Sequence, residues 1–136
     1  MLLREIAEDR ITYTAVLPLG ATAALLRQWA SENKLTLDDN PHVTVLYSRN
    51  PLTVPHNFAE HFATPIGFDI LGKKLVVLLK APTISARHNK LIKMGGSHDF
   101  ESFLVHITIT DALGVDLTKI KLPNFTMVFG SEYTEH

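Results

Sequence analysis

Apolar and polar positions alternate at the start of Ile11-Thr12-Tyr13-Thr14-Ala15-Val16-Leu17, a segment rich in β-formers. This pattern predicts a strand, which Pro18 and Gly20 end. From Ala21 to about Asn33 the period lengthens. Leu25, Leu26, Trp29 and Ala30 recur at three- and four-residue spacing and form one apolar helical stripe. The polar run from Thr36 to Pro41 holds the turn-forming Asp38-Asp39-Asn40-Pro41. Val43-Thr44-Val45-Leu46-Tyr47 predicts a second strand, and a Pro- and His-containing connection follows from Asn50 to about Thr64. Two strands, Ile66–Leu71 and Leu75–Lys80, are predicted next, joined by a hairpin signal at Gly72-Lys73-Lys74. Thr83 or Ser85 caps a second helix that runs to Met94 and stops at Gly95-Gly96. Its apolar side is Ile84, Leu91 and Met94, with His88 on or beside it. Leu104–Ile109 predicts another strand, and two more are expected at Lys119–Leu122 and Thr126–Phe129, divided by Pro123-Asn124.

The order has an internal echo. A strand, a helix and a strand bearing His-Val-Thr-Val fill the first half; a strand, a helix and a strand bearing His-Ile-Thr-Ile fill the second. Nothing between them reads as a linker. The expectation is one α+β domain over residues 1–136, built of two similar lobes with helices outside and antiparallel sheets facing across a central cleft.

Composition narrows the function. The 136 residues are 46% hydrophobic and 20% charged, as in a folded globular domain. The net charge of −1 argues against coating long DNA or RNA. With no Cys there is no disulfide framework, thiolate metal site or cysteine nucleophile. No apolar run spans a bilayer, and Met1-Leu2-Leu3-Arg4-Glu5 does not read as a signal peptide, so no membrane association is expected. The charge is uneven. Residues 70–98 hold six basic side chains (Lys73, Lys74, Lys80, Arg87, Lys90, Lys93) and no acid, between acidic ends. Such a middle fits a small polyanion or a solvated helix face. Seven histidines remain to be explained.

His42-Val43-Thr44-Val45 and His106-Ile107-Thr108-Ile109 lie 64 residues apart and share one pattern. In a strand, residues i and i+2 project to the same face, so each His and Thr point together while Val or Ile packs behind them. Two such pairs meeting across a cleft suit a phosphodiester beside a ribose 2′-hydroxyl. One neutral imidazole takes the hydroxyl proton and the other, protonated, supplies the leaving 5′-oxygen; an unperturbed pKa of about 6.5 serves both roles. Each Thr hydroxyl donates to a non-bridging phosphate oxygen as charge builds there. The scheme calls for no metal and no cofactor.

These motifs resemble the two-histidine (2H) phosphoesterase superfamily, and more narrowly the phage anti-CBASS cyclic-oligonucleotide phosphodiesterases. The likeness runs over essentially the whole chain. It is carried by Tyr13-Thr14-Ala15-Val16-Leu17-Pro18, Pro41 to Arg49, Leu75-Val76-Val77-Leu78, Ala86-Arg87-His88-Asn89, Gly95 to Phe100, the second motif, and Phe129-Gly130-Ser131-Glu132. It implies a phage-encoded, metal-independent hydrolase working in the bacterial host cytoplasm. Such an enzyme opens 3′–5′ linkages of cyclic di- and trinucleotide messengers and so evades CBASS immunity, with no obligate protein partner. By position, the resemblance makes His42, Thr44, His106 and Thr108 catalytic, and Tyr13 and Glu132 nucleobase contacts. Two departures stand out. Val105 precedes the second motif where the family commonly has Pro, and the lone Trp29 sits on a helix stripe rather than near the C-terminus, where Tyr133 is the available stacking ring. A 2H enzyme acting on RNA 2′,3′-cyclic phosphates or 2′–5′ oligoadenylates, and a non-catalytic sequestering protein, are the alternatives.

Other residues have plainer readings. Tyr13 fits base stacking or sheet packing equally. His88 reads as a satisfied core histidine, and His56 and His61 as solvated residues of a connection. His98 caps or lines the site, or is a loop residue. A zinc site from His42, His56 and His61 matches no common ligand spacing.

Overall fold

The computed structural model describes residues 11–97 and 103–136. The predicted alternation appears as β1 (Thr12–Pro18), β2 (Val43–Ser48), β3 (His61–Leu71), β4 (Lys74–Lys80), β5 (His106–Asp111) and β6 (Met127–Glu135). The two helical periods appear as α1 (Gly20–Glu32) and α2 (Pro82–Lys93). The chain is thus a small α+β protein, with all its strand pairs antiparallel.

The strands form one closed ring in the order β1-β2-β5-β4-β3-β6. β1–α1–β2 and β4–α2–β5, the two halves of the echo, each pair their own strands, and β2 meets β5 through a single register pair, Val43 with Ile107. The two motif strands therefore lie side by side at the seam. Leu26, Trp29 and Ala30 of α1 and Ile84 and Leu91 of α2 share one buried cluster with Val43, Val45, Ile107, Ile109, Val77 and Phe129. Burying each Val, Leu, Ile or Phe of this cluster stabilises the fold by about 1.5–3 kcal/mol.

Local chemistry explains the boundaries. β3 and β4 are joined by the two-residue loop Gly72-Lys73, in which Gly72 takes φ 62, a conformation open to glycine. Pro82 opens α2 at its first position, where its missing N–H costs nothing. The helix ends on Gly95 at φ 112, with Gly95 N–H donating to the Ile92 carbonyl and Gly96 N–H to that of Leu91. A Cβ on Gly96 would lie 3.0 Å from the Leu91 carbonyl oxygen, so the stop signal is also a close approach.

Five expectations change. The sheets expected to face one another across a cleft are one closed sheet, because β2 pairs with β5 and β3 with β6. α2 is capped by Ala81 with no side-chain hydrogen bond, not by Thr83 or Ser85. β3 begins at His61, five residues before the predicted start, because Pro65 is absorbed at a bulge where the β3–β4 register slips between Pro65 and Gly67. The predicted strand at Lys119–Leu122 is not one. A 3₁₀ turn, Leu117–Lys119, leads into a segment whose Lys121 carbonyl accepts from the Trp29 indole (2.7 Å) and whose Lys121 N–H donates to Asn33 (2.8 Å). Its backbone partners come from α1 and its cap rather than from a ladder. β6, predicted to end at Phe129, continues to Glu135. No helix among the described residues is long and apolar enough to cross a membrane.

Candidate active site

Burial alternates along both motif strands as a half-buried strand requires. Val43, Val45, Ile107 and Ile109 are fully buried, whereas His42, Thr44, His106 and Thr108 are partly exposed on the opposite face. Antiparallel pairing of Val43 with Ile107 sets His42 across from Thr108 and Thr44 across from His106. All four predicted catalytic side chains are thereby brought to one open face, two from each half.

Both imidazoles are oriented in the same way. His42 Nδ1 lies 3.0 Å from the Asn40 carbonyl oxygen, and His106 Nδ1 lies 2.8 Å from that of Leu104, each two residues upstream. A carbonyl only accepts, so Nδ1 carries the proton and Nε2 is the nitrogen available for proton transfer. The Asn40 carbonyl is presented from a backbone at φ 51, a left-handed conformation that asparagine tolerates, within the turn predicted before Pro41.

Tyr13 belongs to this face. Its hydroxyl hydrogen-bonds the Thr44 hydroxyl (3.1 Å), and its ring stands edge-on to His42 at 6.1 Å between centroids. Tyr47 and Tyr133 flank it, each at 6.3 Å, so three tyrosines line the side of the site nearest His42. Burial pushes the Tyr13 phenol above its ordinary pKa, with the Thr44 hydrogen bond opposing; burial raises Tyr133 likewise, aided by Glu135.

The Glu132 side chain is almost fully buried. Its carboxylate is buried in a two-pronged ion pair with Arg87, from Nε to Oε1 at 3.1 Å and Nη2 to Oε2 at 2.9 Å. Arg87 also donates to the Pro55 carbonyl at 2.7 Å. Counted above with the basic middle, Arg87 is in fact buried on the α2 stripe with Ile84, His88 and Leu91. Lys74 is likewise engaged, bridging Asp38 and Asp111 at 2.9 Å each; those hydrogen bonds, to Asp38 first, raise its pKa. The basic middle is therefore a weaker field than its composition implies.

The remaining histidines divide. His88 is a core residue, with Nδ1 donating to the Val45 carbonyl (2.7 Å) and its ring stacked on Phe103. His56 is exposed and stacks on Phe58. His61, expected in solvent, is buried at the start of β3 with Nδ1 2.8 Å from the Thr83 hydroxyl and Nε2 unpartnered. The early start of β3 pulls it inside. His98 lies outside the described residues. Among the described residues, no group of three or more His, Cys, Asp or Glu is gathered as a metal site would need. Sequence reading missed the Tyr13–Thr44 bond and the Arg87–Glu132 pair. For Arg87 a signal was present: 84, 87, 88 and 91 form one helical stripe.

Comparison with known proteins places these residues in a family. The family model described as "Anti-CBASS protein Acb1" matches residues 10–136. A protein of that name from Vibrio phage KVP40 is 35% identical over 118 residues, covering 81% of this chain and 78% of its own. Others, from Sphingomonas paeninsulae and a Caulobacter species, are 34% and 30% identical over 113 and 128 residues, or 71% and 79% of this chain. This chain spans only about a fifth of the length of those two (18% and 20%). With both motifs inside a match that runs from residue 10 to the last residue, the chain belongs to the anti-CBASS protein Acb1 family.

Proposed function

We propose that the chain is a metal-independent phosphodiesterase of the 2H type that opens 3′–5′ linkages of cyclic di- and trinucleotides. By destroying those messengers it acts against CBASS immunity, in the bacterial cytoplasm when phage-encoded. The observation that carries this reading is the convergence of two matched His–Thr pairs on one open face, each imidazole held through Nδ1 by the carbonyl two residues upstream.

The chemistry follows from that geometry. One imidazole, neutral, takes the ribose 2′-hydroxyl proton on Nε2 as the 2′-oxygen bonds to phosphorus. The bond from phosphorus to the 5′-oxygen breaks, and the second imidazole, protonated, gives that oxygen its proton. Water then opens the 2′,3′-cyclic phosphate with the two roles exchanged, leaving an end that carries phosphate. Thr44 and Thr108 donate to the non-bridging oxygens where charge accumulates. Tyr13, with Tyr133 and Tyr47 beside it, offers a nucleobase a stacking wall worth about 1–3 kcal/mol per base.

Incubation with cyclic di- and trinucleotides, 2′,3′-cyclic nucleotides and 2′–5′ oligoadenylate in EDTA, with product masses, tests the assignment. Linear, phosphate-ended products from the cyclic messengers are expected, with a bell-shaped pH–rate profile from one neutral and one protonated imidazole. Turnover of the 2′–5′ or 2′,3′ substrates alone would move the activity to RNA ends, and recovery of intact ligand would make the protein a sequestering one.

A further inference from the structure

The buried pair of Arg87 and Glu132 has no part in the chemistry above. Arg87 makes three hydrogen bonds, two to Glu132 and one to the Pro55 carbonyl, and the two charged side chains are only 6% and 3% exposed. A buried ion pair is a poor device for stability alone, since apolar residues of similar volume often serve as well. What a guanidinium fork does that apolar residues cannot is fix the orientation of a carboxylate.

Glu132 sits where that orientation matters. Along β1 and β6, Ala15 pairs with Tyr133 and Leu17 with Gly130, so Ser131 and Glu132 together oppose Val16 in a bulge. Ser131 takes φ 50, which a serine holds only where its surroundings enforce it. The next residue, Tyr133, meets Tyr13, and Tyr13 holds the Thr44 hydroxyl and stands edge-on to His42. From Arg87 to Thr44 the contacts are continuous.

We infer that Arg87 is a positioning residue for the first half of the active face. By clamping Glu132 it holds the β6 bulge, the bulge sets Tyr133 against Tyr13, and Tyr13 keeps Thr44 and His42 in working orientation. The effect on turnover rests on the activity proposed above; the effect on Tyr13 and His42 does not.

The full chain is compared with Arg87→Lys and with the apolar double variant Arg87→Met/Glu132→Leu. The readouts are thermal unfolding, kcat and KM on a cyclic dinucleotide, and ligand-free NMR spectra of the His42, His106 and Tyr13 rings. In folded variants, kcat falls roughly 10- to 100-fold, the range a misplacement of about 1 Å produces. The His42 and Tyr13 resonances move while those of His106 stay. Lysine does not rescue, because it lacks the fork. Should the double variant not fold, Arg87→Lys decides by the same readouts. Wild-type kcat with unmoved His42 and Tyr13 resonances overturns the inference. If wild type cleaves no cyclic dinucleotide, the proposed function fails, and the ring resonances still decide whether Arg87 positions this side of the site.

Discussion

His42 and His106 donate Nδ1–H to the carbonyls of Asn40 and Leu104, at 3.0 and 2.8 Å, so both motif strands present an imidazole in the same way. Their surroundings differ. Thr44 is held by the Tyr13 hydroxyl and His42 faces the Tyr13 ring, with Tyr47 and Tyr133 alongside. Among the described residues, no side chain hydrogen-bonds the Thr108 hydroxyl and no aromatic ring packs on His106. Proton transfer needs two equivalent groups, whereas recognition of a base needs one wall. Under the proposed function, this difference places chemistry in both halves and recognition in the first.

The symmetry is broken most sharply by removing the histidines. His42→Ala and His106→Ala are each expected to lower kcat by about 10³-fold, within the usual range for lost acid–base catalysis, in steady-state assays. Thermal unfolding should shift little, because both side chains are partly exposed. A smaller loss, about 10²-fold, is expected for Thr44→Val and Thr108→Val, each removing one proposed donor to the phosphate. Tyr13→Phe then separates the halves. It should cost about tenfold with Thr44 present and little in the Thr44→Val background, but its full amount beside Thr108→Val. Equal coupling to both threonines would contradict one-sided positioning.

The smallest effect concerns stability. Burial pushes the His61 imidazole below its ordinary pKa of 6.5, with Glu132 opposing and Arg87 adding to the fall. The unfolded chain therefore binds this proton at higher pH than the native one. Its contribution is complete above about pH 6.5 and is lost as pH falls through the native value. Unfolding temperatures between pH 7 and 5 should decline less steeply for His61→Gln than for wild type; parallel declines would contradict this.

Much of this was legible in the chain, and the remainder was hidden for physical reasons. The period-two alternation put His42 with Thr44 and His106 with Thr108, each pair on one face of its strand, and the Asp38–Pro41 run marked the turn that supplies the Asn40 carbonyl. These are local patterns. Glu132 and Arg87 are 45 residues apart and Tyr13 and Thr44 are 31 apart, joined only by sheet register and helix docking, so no local pattern reports either pairing, although the α2 stripe marks Arg87 as buried. His61 looked solvated because it falls in the Pro- and His-containing stretch read as a connection, whereas β3 extends through Pro65 by a bulge and takes it in. Lys119–Leu122 has strand composition but finds its partners on α1 and its cap.

The central claim is that two matched imidazoles on one face cleave a cyclic oligonucleotide. It is tested most directly by following a cyclic dinucleotide, in EDTA, with wild type, His42→Ala and His106→Ala side by side. Wild type should convert it fully to linear, phosphate-ended products, and each variant should leave it essentially intact. Near-normal turnover by either variant, or an intact substrate with wild type, would contradict the account.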